Sequence, residues 1–234
     1  MPLSPDELCL AENCYGYGSW GACYWFIGPE QGMGNETVEE RARAFREADL
    51  DEDGLCDCRE FHLKIDEIRW HIPKVKFQST WNYQISLLHG YKGTPSTPGT
   101  RRDYQIKELG KADGETCIAE LRGLSSRSST GSVNQDQYIP PRVRKFRKMI
   151  ELHHPVLIIF YGTSDQGHWE SISECALHLD KITSHAGTMF AYLPHTNARK
   201  ELKRSHADWV QIGEQLRAER ERLGLPDRCI PSAS

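Results

Sequence analysis

Pro155-Val156-Leu157-Ile158-Ile159-Phe160-Tyr161-Gly162 is the stretch that decides the fold. An unbroken apolar run sits between a proline, which cannot donate to a ladder, and a glycine, which lets the chain turn away. Such a run reads as a short strand. No polar residue alternates within it, so both faces need covering, as in a parallel sheet between helices. Working outward, three segments share this character. Cys23-Tyr24-Trp25-Phe26-Ile27 follows a glycine-rich stretch at 15–20. Thr116-Cys117-Ile118-Ala119-Glu120-Leu121 is entered through Asp113-Gly114. Thr188-Met189-Phe190-Ala191-Tyr192-Leu193 lies between Gly187 and Pro194. Helical patterns fall at 36–48, 81–89, 142–152, 169–179 and 208–223, the last with Trp209, Ile212 and Leu216 on one stripe. Strands alternating with helices predict an α/β fold with a parallel sheet in one domain. The stretches 91–103 and 125–137 read as loops.

The chain has 234 residues, 38% hydrophobic and 26% charged, which suits a folded domain and argues against a disordered chain. No apolar run approaches the roughly 20 residues of a membrane span. The first residues lack the basic and apolar regions of a secretory signal, so a cytoplasmic location is the expectation. The net charge of -4 leaves nucleic-acid binding to a local patch. The eight cysteines include no C-x-x-C pair and read mainly as reduced, half-buried thiols. Cys9, Cys14 and Cys23 are an alternative set of three metal ligands. No histidine pair has the H-E-x-x-H spacing, and His153 and His154 read as structural.

In an open parallel sheet, ligands bind beyond the C-terminal ends of the strands. Glu30 falls there, among Gly28, Gly32 and Gly34. Glycines allow close backbone approach, and a carboxylate in such a turn can act as a general base or simply cap a helix. The pattern is neither a Walker A loop nor G-x-G-x-x-G. His195 follows the fourth strand, where an imidazole can donate to a developing anion or belong to a solvated loop.

Ile27-Gly28-Pro29-Glu30-Gln31-Gly32 after the first strand, Phe160-Tyr161-Gly162 and its continuation to Gln166 after the third, and Tyr192-Leu193-Pro194-His195-Thr196-Asn197 after the fourth come in a telling order. In that order the chain resembles the uracil-DNA glycosylase superfamily over roughly residues 22 to 217. The resemblance implies a three-layer α/β/α fold with a four-stranded parallel sheet. It would form one domain over 1–234, with an arm at about 1–20 and a tail at 224–234. It implies an enzyme that flips a damaged or deaminated base out of DNA and hydrolyses its glycosidic bond. Glu30 would activate the water and His195 would support the departing base. Gly28, Gln31, Gly32, Glu120, Asn197 and Arg199 would contact base or DNA. Glu120 stands near where the family usually places a base-reading Asn. An ionised carboxylate offers acceptors only, whereas a protonated one also donates. Trp81 and Tyr83 are candidates for the stacking aromatic. The resemblance implies no metal and no organic cofactor. Some members hold an iron–sulfur cluster, but no cysteine lies between 118 and 174 to serve one. The alternative is the same fold binding nucleic acid or nucleotide without cleavage.

A second signal is Asp49-Leu50-Asp51-Glu52-Asp53-Gly54-Leu55-Cys56-Asp57-Cys58-Arg59-Glu60, which fits the EF-hand loop expression. Asp49, Asp51, Asp53 and Glu60 would be calcium ligands. The competing reading is an acidic surface turn, since no second loop accompanies it.

Overall fold

A computed structural model describes residues 2–32, 34–48, 53–73, 76–124, 135–196, 198, 200–226 and 229. Among these residues the chain is an α/β protein with eight α-helices and one mixed seven-stranded sheet. The strands are β1 (Gly16–Tyr17), β2 (Tyr24–Glu30), β3 (Leu55–Cys56), β4 (Thr116–Arg122), β5 (Leu157–Tyr161), β6 (Ile182–His185) and β7 (Thr188–Leu193). The order across the sheet is β3-β1-β4-β2-β5-β7-β6. The four segments expected as strands are its centre, and β4, β2, β5 and β7 run parallel to one another. The expectation of a four-stranded, purely parallel sheet is corrected at the edges. β1 pairs antiparallel with β4, β3 pairs with β1, and β6 pairs antiparallel with β7. β1 and β3 are two residues long, too short to leave a periodic pattern.

The helices are α1 (Pro5–Asn13), α2 (Val38–Ala48), α3 (Cys58–Lys64), α4 (Ser79–Lys92), α5 (Pro98–Lys107), α6 (Ile139–His153), α7 (Gln166–Ser173) and α8 (His206–Leu223). Period-two side chains of the central strands feed two cores. Tyr24, Phe26, Leu157, Ile159, Met189 and Ala191 pack with α1, α2, α4 and α8. Trp25, Ile27, Ile158, Phe160, Phe190 and Tyr192 pack with α6 and α7. Both faces are therefore buried, which is why these strands lack polar alternation.

The first 20 residues, expected as an arm, carry α1 and β1, and Leu10 and Ala11 of α1 are buried. The loop expected at 91–103 gives way to α5 at its C-terminal half. Thr97 caps the helix in a capping box with Thr100, and Pro98 occupies its first turn, where a missing N–H costs nothing. α7 stops at Ser173, with Glu174 at a positive φ of 54°, short of the expected end at 179. α4 and α8 cross at Gly90 and Gly213. A Cβ on either would fall onto the partner helix backbone, at Val210 and Leu87 respectively.

Arg142 of α6 is a fully buried cation that clamps backbone carbonyls. Its guanidinium donates to Leu121 O (2.7 Å), Ala11 O (3.1 Å), Cys14 O (2.8 Å) and Glu120 O (2.7 Å), and it lies over the Tyr15 ring at 3.9 Å. It thereby ties α1, α6 and the end of β4 together. Cys23 and Cys229 form a disulfide, contrary to the expectation of reduced thiols, and this removes Cys23 from any ligand set with Cys9 and Cys14. No described helix is long and apolar enough to cross a membrane.

Candidate functional site

β2, β4 and β5 end side by side, and a cavity of about 480 Å³ opens over their C-terminal ends. Glu30, Gln31, Gly32, Glu120 and His195 all line it, as do Tyr17, Arg41, Trp81 and Tyr161. The sheet register explains the convergence. Gly28 stands opposite Glu120 and Glu30 opposite Arg122 on adjacent parallel strands. Having no side chain, Gly28 leaves room for two neighbours. A Cβ there would fall into the Tyr161 ring and onto Glu120 Oε2.

Glu120 is a strongly perturbed group. It is buried on β4, and the Tyr161 hydroxyl donates to its Oε1 at 3.0 Å. Its Oε2 is buried and has no hydrogen-bond partner among the described residues. Loss of hydration raises its pKa from 4.5 to about 8, the charge of Glu30 adds to the rise, and the Tyr161 hydrogen bond with Arg142 and Arg41 opposes it. At neutral pH the group is therefore mostly a carboxylic acid. With Oε1 accepting from Tyr161, the acid proton sits on Oε2, so Glu120 presents both a donor and an acceptor.

His195 lies half-buried beyond β7, with its ring 5.6 Å from that of Tyr161. Burial holds its pKa below the usual histidine range, so it is neutral at pH 7 and carries one N–H. Gln31 is buried and its Oε1 accepts from Arg41, which also pairs with Glu36. This fixes the turn after β2 against α2, whose start is capped reciprocally by Thr37 and Glu40. A second tie joins two strand ends, where Arg122 donates to the buried Asp165 at 2.7 Å.

The structure brings together Glu30, Gln31, Gly32, Glu120 and His195, with Gly28 directly beneath. Asn197 and Arg199, and the loop positions Asp49 and Asp51, lie outside the described residues. Of the two stacking candidates, Trp81 lines the cavity, whereas Tyr83 stacks on His206 at 4.3 Å elsewhere. Around the EF-hand-like stretch, Gly54 has a φ of 92° and α3 starts at Cys58. The Asp53 Oδ1 accepts from Leu55 N, and the Asp57 carboxylate caps α3 and pairs with Lys111 at 3.2 Å. Glu60 is an exposed residue in the first turn of that helix.

Sequence reasoning missed Tyr161 as a partner of Glu120, and Arg41, Trp70 and Glu67 as lining residues. Arg41, Trp70 and Glu67 come from the crossover between β2 and β4, whose spatial return no local pattern encodes. Tyr161 ends the run that defines β5, and its position at a strand end was the available signal. Comparison with protein-family models and with curated proteins finds no match to this chain.

Proposed function

We propose that the cavity binds an extruded nucleobase and that the protein hydrolyses N-glycosidic bonds in DNA, in the manner of the uracil-DNA glycosylase-like enzymes. One observation carries the reading: Glu30, Glu120 and His195, from three strand ends, line a single cavity of about 480 Å³. That volume is in the range of small-molecule sites. Neutral Glu120 supports it further. A carboxylic acid with a buried Oε2 awaiting a partner offers the donor–acceptor pair that reading a base edge requires.

In this mechanism the Glu30 carboxylate orients a water at the sugar carbon and faces the positive charge that grows there. The C–N bond breaks and its electron pair leaves with the base; the water oxygen bonds to the sugar carbon in its place, and the water proton passes to Glu30. The N–H of neutral His195 stabilises the negative charge on the departing base, and Glu120 holds the base edge. Glu36, Arg41 and Gln31 keep the turn bearing Glu30 in place.

The test uses oligonucleotides carrying uracil, hypoxanthine or xanthine, with alkali to reveal abasic sites. The expected result is cleavage by the wild type and a loss of at least about 100-fold with Glu30→Gln, the scale of a general base. Retarded oligonucleotide with no alkali-labile product refutes hydrolysis and leaves a binding module. Neither binding nor cleavage refutes the DNA reading altogether.

A further inference from the structure

We propose that Cys58 Sγ, His62 Nδ1 and His71 Nε2 bind a divalent metal ion of the zinc class, which ties α3 to the turn at 68–71. The proposal is independent of the glycosylase reading. Among the described residues these are the cysteine, histidine or acidic side chains whose ligand atoms converge within 4.8 Å of one another.

The spacing of the ligand atoms is that of a coordination shell. His62 Nδ1 and His71 Nε2 are 3.2 Å apart, and Cys58 Sγ is 3.5 Å from the first and 3.9 Å from the second. Tetrahedral zinc with Zn–N near 2.0–2.1 Å and Zn–S near 2.3 Å places its nitrogens about 3.3 Å apart and nitrogen and sulfur about 3.6 Å apart. A thiolate with two imidazoles favours zinc or cobalt over magnesium or calcium.

The backbone brings the three together without help from a ligand. Cys58 opens α3, and His62, four residues on, projects from the same face. The chain then reverses, with Glu67 N donating to His62 O at 2.8 Å, and His71 closes a 3₁₀ turn, Ile68–His71. Gln105 of α5 pins that turn by donating to Trp70 O at 2.9 Å. All three side chains are buried, against Tyr17, Phe61 and Trp81. A neutral imidazole offers one ring nitrogen lone pair to a metal, so His62 and His71 each supply one ligand. His71 Nδ1 is buried and has no hydrogen-bond partner among the described residues. With the proton on that atom, Nε2 is the ligating nitrogen.

Binding follows a definite proton balance. The Cys58 thiol gives its proton to solvent as the sulfur–metal bond forms. The His62 Nδ1 proton, which otherwise donates to the Cys58 carbonyl at 2.6 Å, moves to Nε2. No oxidation state changes. The remaining coordination position falls to water, and His62 lines the cavity described above. Glu67, Arg69 and Trp70, which precede His71, also line it, so the metal would hold one cavity wall.

The experiment loads the full-length chain with cobalt(II) and records its absorption, alongside zinc analysis after dialysis. The expected result is a thiolate-to-cobalt charge-transfer band and tetrahedral visible bands, saturating at one cobalt per chain and displaced by zinc. Cys58→Ser, folded by circular dichroism, should lose the charge-transfer band, and His71→Ala should cut retained zinc several-fold. Absence of the band in folded wild type overturns the proposal. So does a band that persists unchanged in Cys58→Ser.

Discussion

Replacing Glu120 by Gln should stabilise the protein, and by an amount that depends on pH. The unfolded carboxyl titrates near 4.5 and the folded one near 8. Between these values the native state holds a proton that the unfolded chain has lost, so native stability falls as pH rises through this window. At about 1.4 kcal/mol per pH unit, the loss is about 3 kcal/mol at pH 7 and levels off at about 5 kcal/mol above pH 8. Gln has the same length and no charge, and its amide oxygen can accept from Tyr161. The variant should therefore match the wild type near pH 4.5, exceed it by about 3 kcal/mol at pH 7, and show a flat profile where the wild type declines. Against a typical total of 5–15 kcal/mol this is a large effect. Urea unfolding followed by tryptophan fluorescence, at several pH values and constant ionic strength, measures it. Parallel stability curves for the two proteins would refute a neutral, buried Glu120. The same substitution keeps a donor and an acceptor at this position. Base cleavage by the variant should then persist above pH 8, where that of the wild type declines.

Gly28→Ala should displace the Tyr161 ring and break its bond to Glu120, costing about 1–3 kcal/mol in denaturant unfolding; an unchanged midpoint would contradict the packing described. Arg142→Met leaves the carbonyls of Ala11, Cys14, Glu120 and Leu121 without their donor, and a loss of about 3–5 kcal/mol is expected by the same assay. Gly213→Ala forces α8 away from the Leu87 carbonyl of α4, and should lower the melting temperature by several degrees in calorimetry, equivalent to about 1–3 kcal/mol.

The four central strands were legible because burial on both faces writes itself into sequence as unbroken apolar runs, as at 157–161 and 188–193. The edges were not. Two-residue β1 and β3 have no period, and β6, with Ser184 and His185 exposed, lacks the apolar weight of a core strand. α5 was hidden by Pro95 and Pro98, which look like breakers until Thr97 is recognised as the cap. Within the site, Glu30, Glu120 and His195 could be placed from the rule that parallel strands present their ends together. The ionisation of Glu120 could not, because it depends on the burial and the Tyr161 contact that only tertiary structure supplies. Cys58 and His62 have helical spacing in the sequence, but only the chain reversal reveals His71 as their companion.

The earliest core strand to be made, β2, is flanked on both sides by strands that come later, β4 and β5. On the ribosome it emerges with both ladders open. Its first partner follows on the order of ninety residues behind, a wait of roughly ten seconds at ~5–20 residues per second. During that interval Trp25, Phe26 and Ile27 form a sticky template for any passing edge. Nascent-chain chaperones should therefore engage this protein early and release it only when β5 has docked.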